Sequence, residues 1–120
     1  DFKKINAELT ERLHDKAYIN AYTYYKIGRY KSAIVAFKNA LKQYPESKRR
    51  EEIMYLIVDS GYRLASNSIS EKQTDRYLSM LDSYLSFKEE FPESTHIKSL
   101  DRMAQQARDY LDRNNKDNNI

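Results

Sequence analysis

The side chains of this 120-residue chain that could do chemistry are two histidines, eighteen carboxylates and eleven tyrosines, with no cysteine. His14 beside Asp15 could start a metal site or an acid–base pair. His96 lies far along the chain, however, and neither histidine has a spacing such as His-Glu-x-x-His that puts two imidazoles on one helical face. A solvated or capping histidine is the favoured reading, and no metal is expected. The lack of cysteine excludes disulfides, thiolate ligands and thiol nucleophiles. The carboxylates sit among lysines and arginines at helical spacing, which is the pattern of a solvated face. Gly28 and Gly61 are isolated, so neither belongs to a loop that cradles phosphate. A tyrosine could act as acid or nucleophile, but no base stands beside one to activate it. The expectation is a non-enzymatic protein without a cofactor.

Tyrosine then needs another use. The stretch "YINAYTYYKIGRY", from Tyr18 to Tyr30, holds five tyrosines in thirteen residues. On a helix Tyr18, Tyr22 and Tyr25 fall at i, i+4 and i+7 and share one face, while Tyr24 and Tyr30 are expected on the other, packing face. Tyr55, Asp59 and Tyr62 repeat the first spacing further along. Such a face could be an interface hot spot, or its rings could pack between neighbouring helices with their hydroxyls in water. The spacing alone leaves both open.

The elements that carry these residues are helical. Only two glycines and two prolines occur in a chain that is 32% charged, which favours long helices over a many-turned β architecture. Ile5, Leu9, Leu13, Ala17 and Ala21 run at helical spacing until Gly28, which stands where a helix-ending glycine belongs. Tyr30, Ala33, Ile34, Phe37, Ala40, Leu41 and Tyr44 form a one-sided stripe that Pro45 ends. Ser47 can cap a third helix whose apolar residues, Ile53 to Val58, surround its axis, so it should be the most buried. A long polar loop is expected over residues 66–76, with Ser70 and Gln73 at capping-box spacing for a fourth helix that carries Tyr77, Leu81, Tyr84, Leu85 and Phe91 before Pro92. Ser94 can cap a fifth, with Ile97, Leu100, Ala104, Ala107 and Leu111 on one stripe. About five helices are expected in one domain over residues 1–113. Residues 114–120 read as a frayed polar tail.

Two of these helices share a pattern. Tyr30, Phe37, Ala40 and the ending "YPES" return 47 residues later as Tyr77, Tyr84, Phe87 and "FPES". An internal repeat of this kind indicates helical hairpins stacked into a short right-handed solenoid. Tyr24, Tyr25, Gly28, Tyr30, Ala33, Ile34, Phe37, Ala40, Leu41 and Pro45 match the tetratricopeptide pattern. Small Ala33 and Ala40 let the preceding helix approach, and Phe37 fills the space between them. In the second hairpin Met80 and Phe87 replace the small residues, and the expected loop is about ten residues too long for the usual period of about 34.

With Leu13, Lys16, the pair Tyr24 and Tyr25, Gly28 with Tyr30, Tyr44 with Pro45, and Arg50 to Glu52 opening the next helix, the chain resembles the C-terminal half of the BamD family. These are tetratricopeptide lipoproteins of the bacterial outer-membrane β-barrel assembly complex, and the resemblance is strongest over residues 9–65. It implies a scaffold on the periplasmic face of the outer membrane that docks the POTRA domains of a BamA-like barrel protein. It also implies membrane attachment only through a lipid anchor outside this chain. The alternative is a general tetratricopeptide adaptor whose concave groove binds an extended peptide.

Charge and length agree with a protein partner. A net charge of +3, with pI near 9.0, is mild and mixed in sign, and no basic block exceeds Lys48, Arg49 and Arg50, so nucleic acid is not expected. That triplet, near the turn at Pro45, should make a locally positive corner that steers a partner. No apolar run approaches the roughly 20 residues of a membrane span. The start at Asp1, with neither an initiator Met nor a signal-like segment, reads as a processed or truncated piece. The candidate partner-binding residues are thus Tyr18, Tyr22, Tyr25, Tyr55, Asp59, Tyr62, Lys48, Arg49 and Arg50.

Overall fold

A computed structural model describes residues 1–118, with side chains to residue 115, and is helical throughout: α1 (Phe2–Lys26), α2 (Tyr30–Gln43), α3 (Arg50–Ser66), α4 (Ser70–Glu90) and α5 (Ile97–Asn118). α1 with α2 and α3 with α4 form two hairpins, α2 also packs on α3, and α5 lies across α3 and α4. These are the stacked helical hairpins of the tetratricopeptide class, in a body 69 × 29 × 19 Å.

The stops and starts follow from local chemistry. Asp1 caps α1 by accepting from the Lys3 amide at 3.2 Å. At the other end Gly28 takes φ +81°, a conformation that strains any residue with a Cβ. That turn lets the Gly28 amide reach the Tyr25 carbonyl at 3.0 Å and the Arg29 amide reach Tyr24 at 2.9 Å, closing a Schellman cap. The two Pro-Glu-Ser turns are built alike. The Ser47 hydroxyl accepts from the Arg49 amide, and the Ser94 hydroxyl from the His96 amide, each at 3.1 Å. Each serine thus holds the turn just ahead of its helix, which begins at Arg50 in one case and Ile97 in the other.

The long loop expected at 66–76 is not there. Only Asn67, Ser68 and Ile69 separate α3 from α4, and the remaining polar residues form the first turns of α4. Their polarity has a different cause. The Gln73 side-chain amide donates to the Ala65 carbonyl at 3.0 Å, the Ser68 hydroxyl to Leu64, and the Asn67 side chain to Arg63, so these groups satisfy the end of α3. Gln73 therefore makes no capping box with Ser70, and Ile69 occupies the cap position. The extra residues lengthen α4 to 21 residues against 14 for α2. At the C-terminus, α5 continues through Asn118, beyond the point where a frayed tail was expected. The Asn114 amide donates to the Thr74 hydroxyl at 3.2 Å, and residues 119–120 lie outside the described residues.

The core has two parts joined by α3, the most buried helix. Ala21, Ala33, Phe37, Ala40, Ile53, Leu56 and Ile57 form one, and Val58, Ala65, Tyr77, Met80, Tyr84, Phe87, Leu100, Ala104 and Ala107 form the other. The bulk of Met80 in the second hairpin is accommodated from α3. A Cβ added at Gly61 would stand 3.3 Å from the Met80 Cβ, so the small residue has moved to the opposite helix. The apolar stripe of α1 is divided. Ala17 and Ala21 pack against α2, whereas Phe2, Ile5, Leu9 and Leu13 are at least half exposed.

Candidate functional site: a tyrosine-lined face across α1, α3 and α5

The first helices of the two hairpins carry six of the eleven tyrosines, and the structure brings Tyr18, Tyr22 and Tyr25 into one row. Tyr18 stacks on Tyr22 and Tyr22 on Tyr25, with ring centroids 5.7 Å apart in both pairs. All three are half-buried. Tyr18 also meets Phe37 of the core, and the Arg49 guanidinium lies 4.5 Å above its ring while donating to Asp15 at 2.8 Å. Tyr25 donates its hydroxyl to the Asp59 carboxylate, which also accepts from the Arg63 guanidinium at 2.9 Å.

The same arrangement returns one layer along. Tyr55 and Glu52, thirty-seven residues after Tyr18 and Asp15, receive His96, which stands forty-seven residues after Arg49. The imidazole stacks on the Tyr55 ring at 3.8 Å and its Nε2 lies 3.3 Å from Glu52. Tyr62 donates to the Gln106 side-chain carbonyl as Tyr25 does to Asp59. Each inter-hairpin junction is therefore a clasp on a tyrosine and a carboxylate, plus a tyrosine hydroxyl bound to the next first helix.

Several expectations change with this geometry. Asp59 has a side chain only 2% exposed, so it staples α3 to α1 and is not a surface contact. The uncompensated positive corner is absent, because Lys48 faces Glu11 at 3.5 Å, Arg49 faces Asp15, and Arg50 grips Glu90 through Nε at 2.6 Å and through a terminal nitrogen at 2.9 Å. Periodicity could not show this, since each pair joins residues more than thirty positions apart. Tyr24 does not pack between helices. It is 37% exposed and lines an open groove of about 900 Å³ between α1 and α2, with Leu13, Ala17, Val35, Ala36 and Asn39. Tyr30 is the edge partner of Tyr25. Among the described residues no three His, Asp or Glu side chains converge as a metal set, and no helix is long and apolar enough to cross a membrane.

Burial also sets the acid–base behaviour of the face. It pushes the hydroxyl pKa up at Tyr18, Tyr55 and Tyr77, and at Tyr25 burial and then the bond to Asp59 both raise it. A group whose folded pKa is raised holds its proton more tightly when folded. Its stabilisation is complete below the ordinary tyrosine value of about 10 and is lost as pH climbs above it. Stability in urea is expected to hold to about pH 9.5 and to fall beyond pH 10. Some of the tyrosinate absorbance should then appear only together with loss of helicity, and Tyr25→Phe should soften that coupling. Smooth ionisation of all eleven tyrosines with the helices intact would contradict the assignment.

The repeat geometry says what kind of protein this is, and a family match says which. The matching family model, described as an outer membrane lipoprotein and designated YfiO, spans residues 9–116. The chain belongs to this family. It is thus BamD-like, a chain of outer-membrane assembly, and the match extends through α4 and into α5, beyond the stretch where the resemblance in sequence is strongest. No match was found among curated proteins.

Proposed function

We propose that this BamD-like chain is a non-enzymatic scaffold segment of the β-barrel assembly machinery and that it docks folded periplasmic domains, of the POTRA type of a BamA-like subunit. The observation that carries the reading is the stacked aromatic row of Tyr18, Tyr22 and Tyr25 on α1, because rigid amphipathic rings on a preformed surface bind at low entropic cost. Within that row Tyr22 is the best anchor: it is half-buried, and its hydroxyl makes no protein hydrogen bond among the described residues. Lys48, with a side chain 83% exposed, is the rim charge freest to steer a partner, whereas Arg49 and Arg50 are tied to acids of this chain.

Surface plasmon resonance with an isolated POTRA region tests the reading. Tyr22→Ala should weaken binding by about 2 kcal/mol, roughly thirtyfold, a larger effect than its cost to folding stability. Lys48→Glu should slow association chiefly at low salt. No binding at micromolar concentration would remove the proposal. The alternative, an adaptor for an extended peptide, is favoured by the open groove at Tyr24 and Val35, and would show as peptide binding that Val35→Asp abolishes and Tyr22→Ala does not.

A further inference from the structure

The helical stack ends differently on its two sides. On α5, which lies across α3 and α4 at one end, every exposed residue from Ile97 to Asn115 is polar, as on a terminal cap. At the other end Leu13 and Val35 line the groove between α1 and α2 and are 51% and 56% exposed.

The repeat shows what such a groove holds. Shifted by 37 residues, Ala17, Asn20 and Tyr24 of α1 become Met54, Ile57 and Gly61 of α3. Shifted by 47 residues, Ser32, Val35 and Asn39 of α2 become Ser79, Asp82 and Ser86 of α4. All six counterparts line the crevices in which α2 lies on the second hairpin, where they face its Ile34, Lys38 and Leu41. The equivalent groove is therefore filled by a helix that presents residues at i, i+4 and i+7. The charges of the two grooves differ. In the filled one Asp82 lines the same crevice as Lys38. The open one is lined by Lys16 and Lys31 and by no carboxylate, and neither lysine is ion-paired among the described residues. Like charge also disfavours the same groove of a second copy as its cover.

We propose that the α1–α2 groove docks one amphipathic helix from outside these 120 residues, seated as α2 is seated on α3 and α4, with apolar residues at i and i+7 and an acidic residue at i+4. Burial of the two apolar side chains against Leu13 and Val35 supplies the attraction, and the acid facing Lys16 and Lys31 supplies the selectivity. The groove stands apart from the tyrosine row, and it takes a helix where an adaptor would take an extended peptide.

A helical peptide of residues 30–44 of this chain is the probe, because that segment fills the equivalent crevice. A covalent link between positions 39 and 43, both exposed on α2, holds it helical. It is made unsubstituted and with Lys38→Glu, and its binding to the full chain is followed by fluorescence anisotropy. The Lys38→Glu peptide should bind at least about tenfold more tightly than the unsubstituted one. In the chain, Val35→Asp places a carboxylate where the filled groove has Asp82, and it should invert that preference. Lys16→Glu together with Lys31→Glu should invert it too, whereas Tyr22→Ala should leave it unchanged. A misfolded variant would lose both peptides and could not exchange one for the other. The proposal is overturned if the Lys38→Glu peptide does not bind at about 100 μM, or if the preference survives either charge change. It is equally overturned if an unlinked Ala36→Pro peptide, whose helix is broken, binds as well, or if sedimentation shows the chain dimerising and Val35→Asp restoring the monomer.

Discussion

Phe37→Ala is expected to lower the stability of the chain by about 3 to 5 kcal/mol, measured by urea denaturation. The ring is completely buried and sits in a cluster whose other members include Ala21, Ala33 and Ala40. Alanines cannot swing into a void, and Ile53, Leu56 and Ile57 are fixed on the most buried helix, so the cavity would persist and the cost should lie toward the upper end. The change would remove a large share of a total that for such domains is about 5 to 15 kcal/mol. Tyr84, at the equivalent place in the second hairpin, gives a contrast. Its hydroxyl donates to Asp101 and accepts from Lys88 at 3.3 Å at a partly exposed edge, so Tyr84→Phe removes two solvent-near hydrogen bonds and leaves no cavity. A loss below about 1 kcal/mol for Phe37→Ala would mean that the repeat register assigned to α2 is wrong.

That register was legible because it depends on local spacing. The stripe from Tyr30 to Leu41, the glycine stop and the two Pro-Glu-Ser turns all state their structure within a few residues, and the structure follows them. The misread stretch failed for a physical reason. Ser, Asn and Gln between helices signal a loop when their side chains face water, but here they bind the carbonyls at the end of α3, and Glu71 and Lys72 go on as good helix formers. The candidate face was half legible. Spacing placed Tyr18, Tyr22 and Tyr25 together, yet it could not show that Tyr25 and Asp59 bind each other, or that Arg49 and Arg50 already have acid partners, because those pairs are set by how one hairpin lies on the next. The second junction could have been read from the first, since the same repeat offsets that relate the helices carry Tyr18, Asp15 and Arg49 onto Tyr55, Glu52 and His96.

The network around Asp59 decides whether Tyr25 is a staple or a binding residue, and it supplies the second large effect. The carboxylate is almost wholly enclosed, and its visible partners are the Tyr25 hydroxyl and the Arg63 guanidinium, itself 49% exposed. Arg63→Ala should therefore cost about 2 to 4 kcal/mol, somewhat less than for a fully buried pair, because a buried charge is left with one hydrogen bond and little access to water. Tyr25→Phe should cost about 1 to 2 kcal/mol through the lost hydroxyl. Asp59→Leu should cost less than Arg63→Ala, since both donors can turn to solvent whereas the carboxylate cannot. The double variant Tyr25→Phe, Arg63→Ala should depart from additivity by at least about 0.5 kcal/mol, as expected of two groups that share one acceptor. Urea denaturation of the unmodified chain and the four variants gives all these values. If each single change costs under about 0.5 kcal/mol and the pair is additive, the carboxylate is satisfied by water and Tyr25 regains its place beside Tyr22 as a residue free to meet a partner.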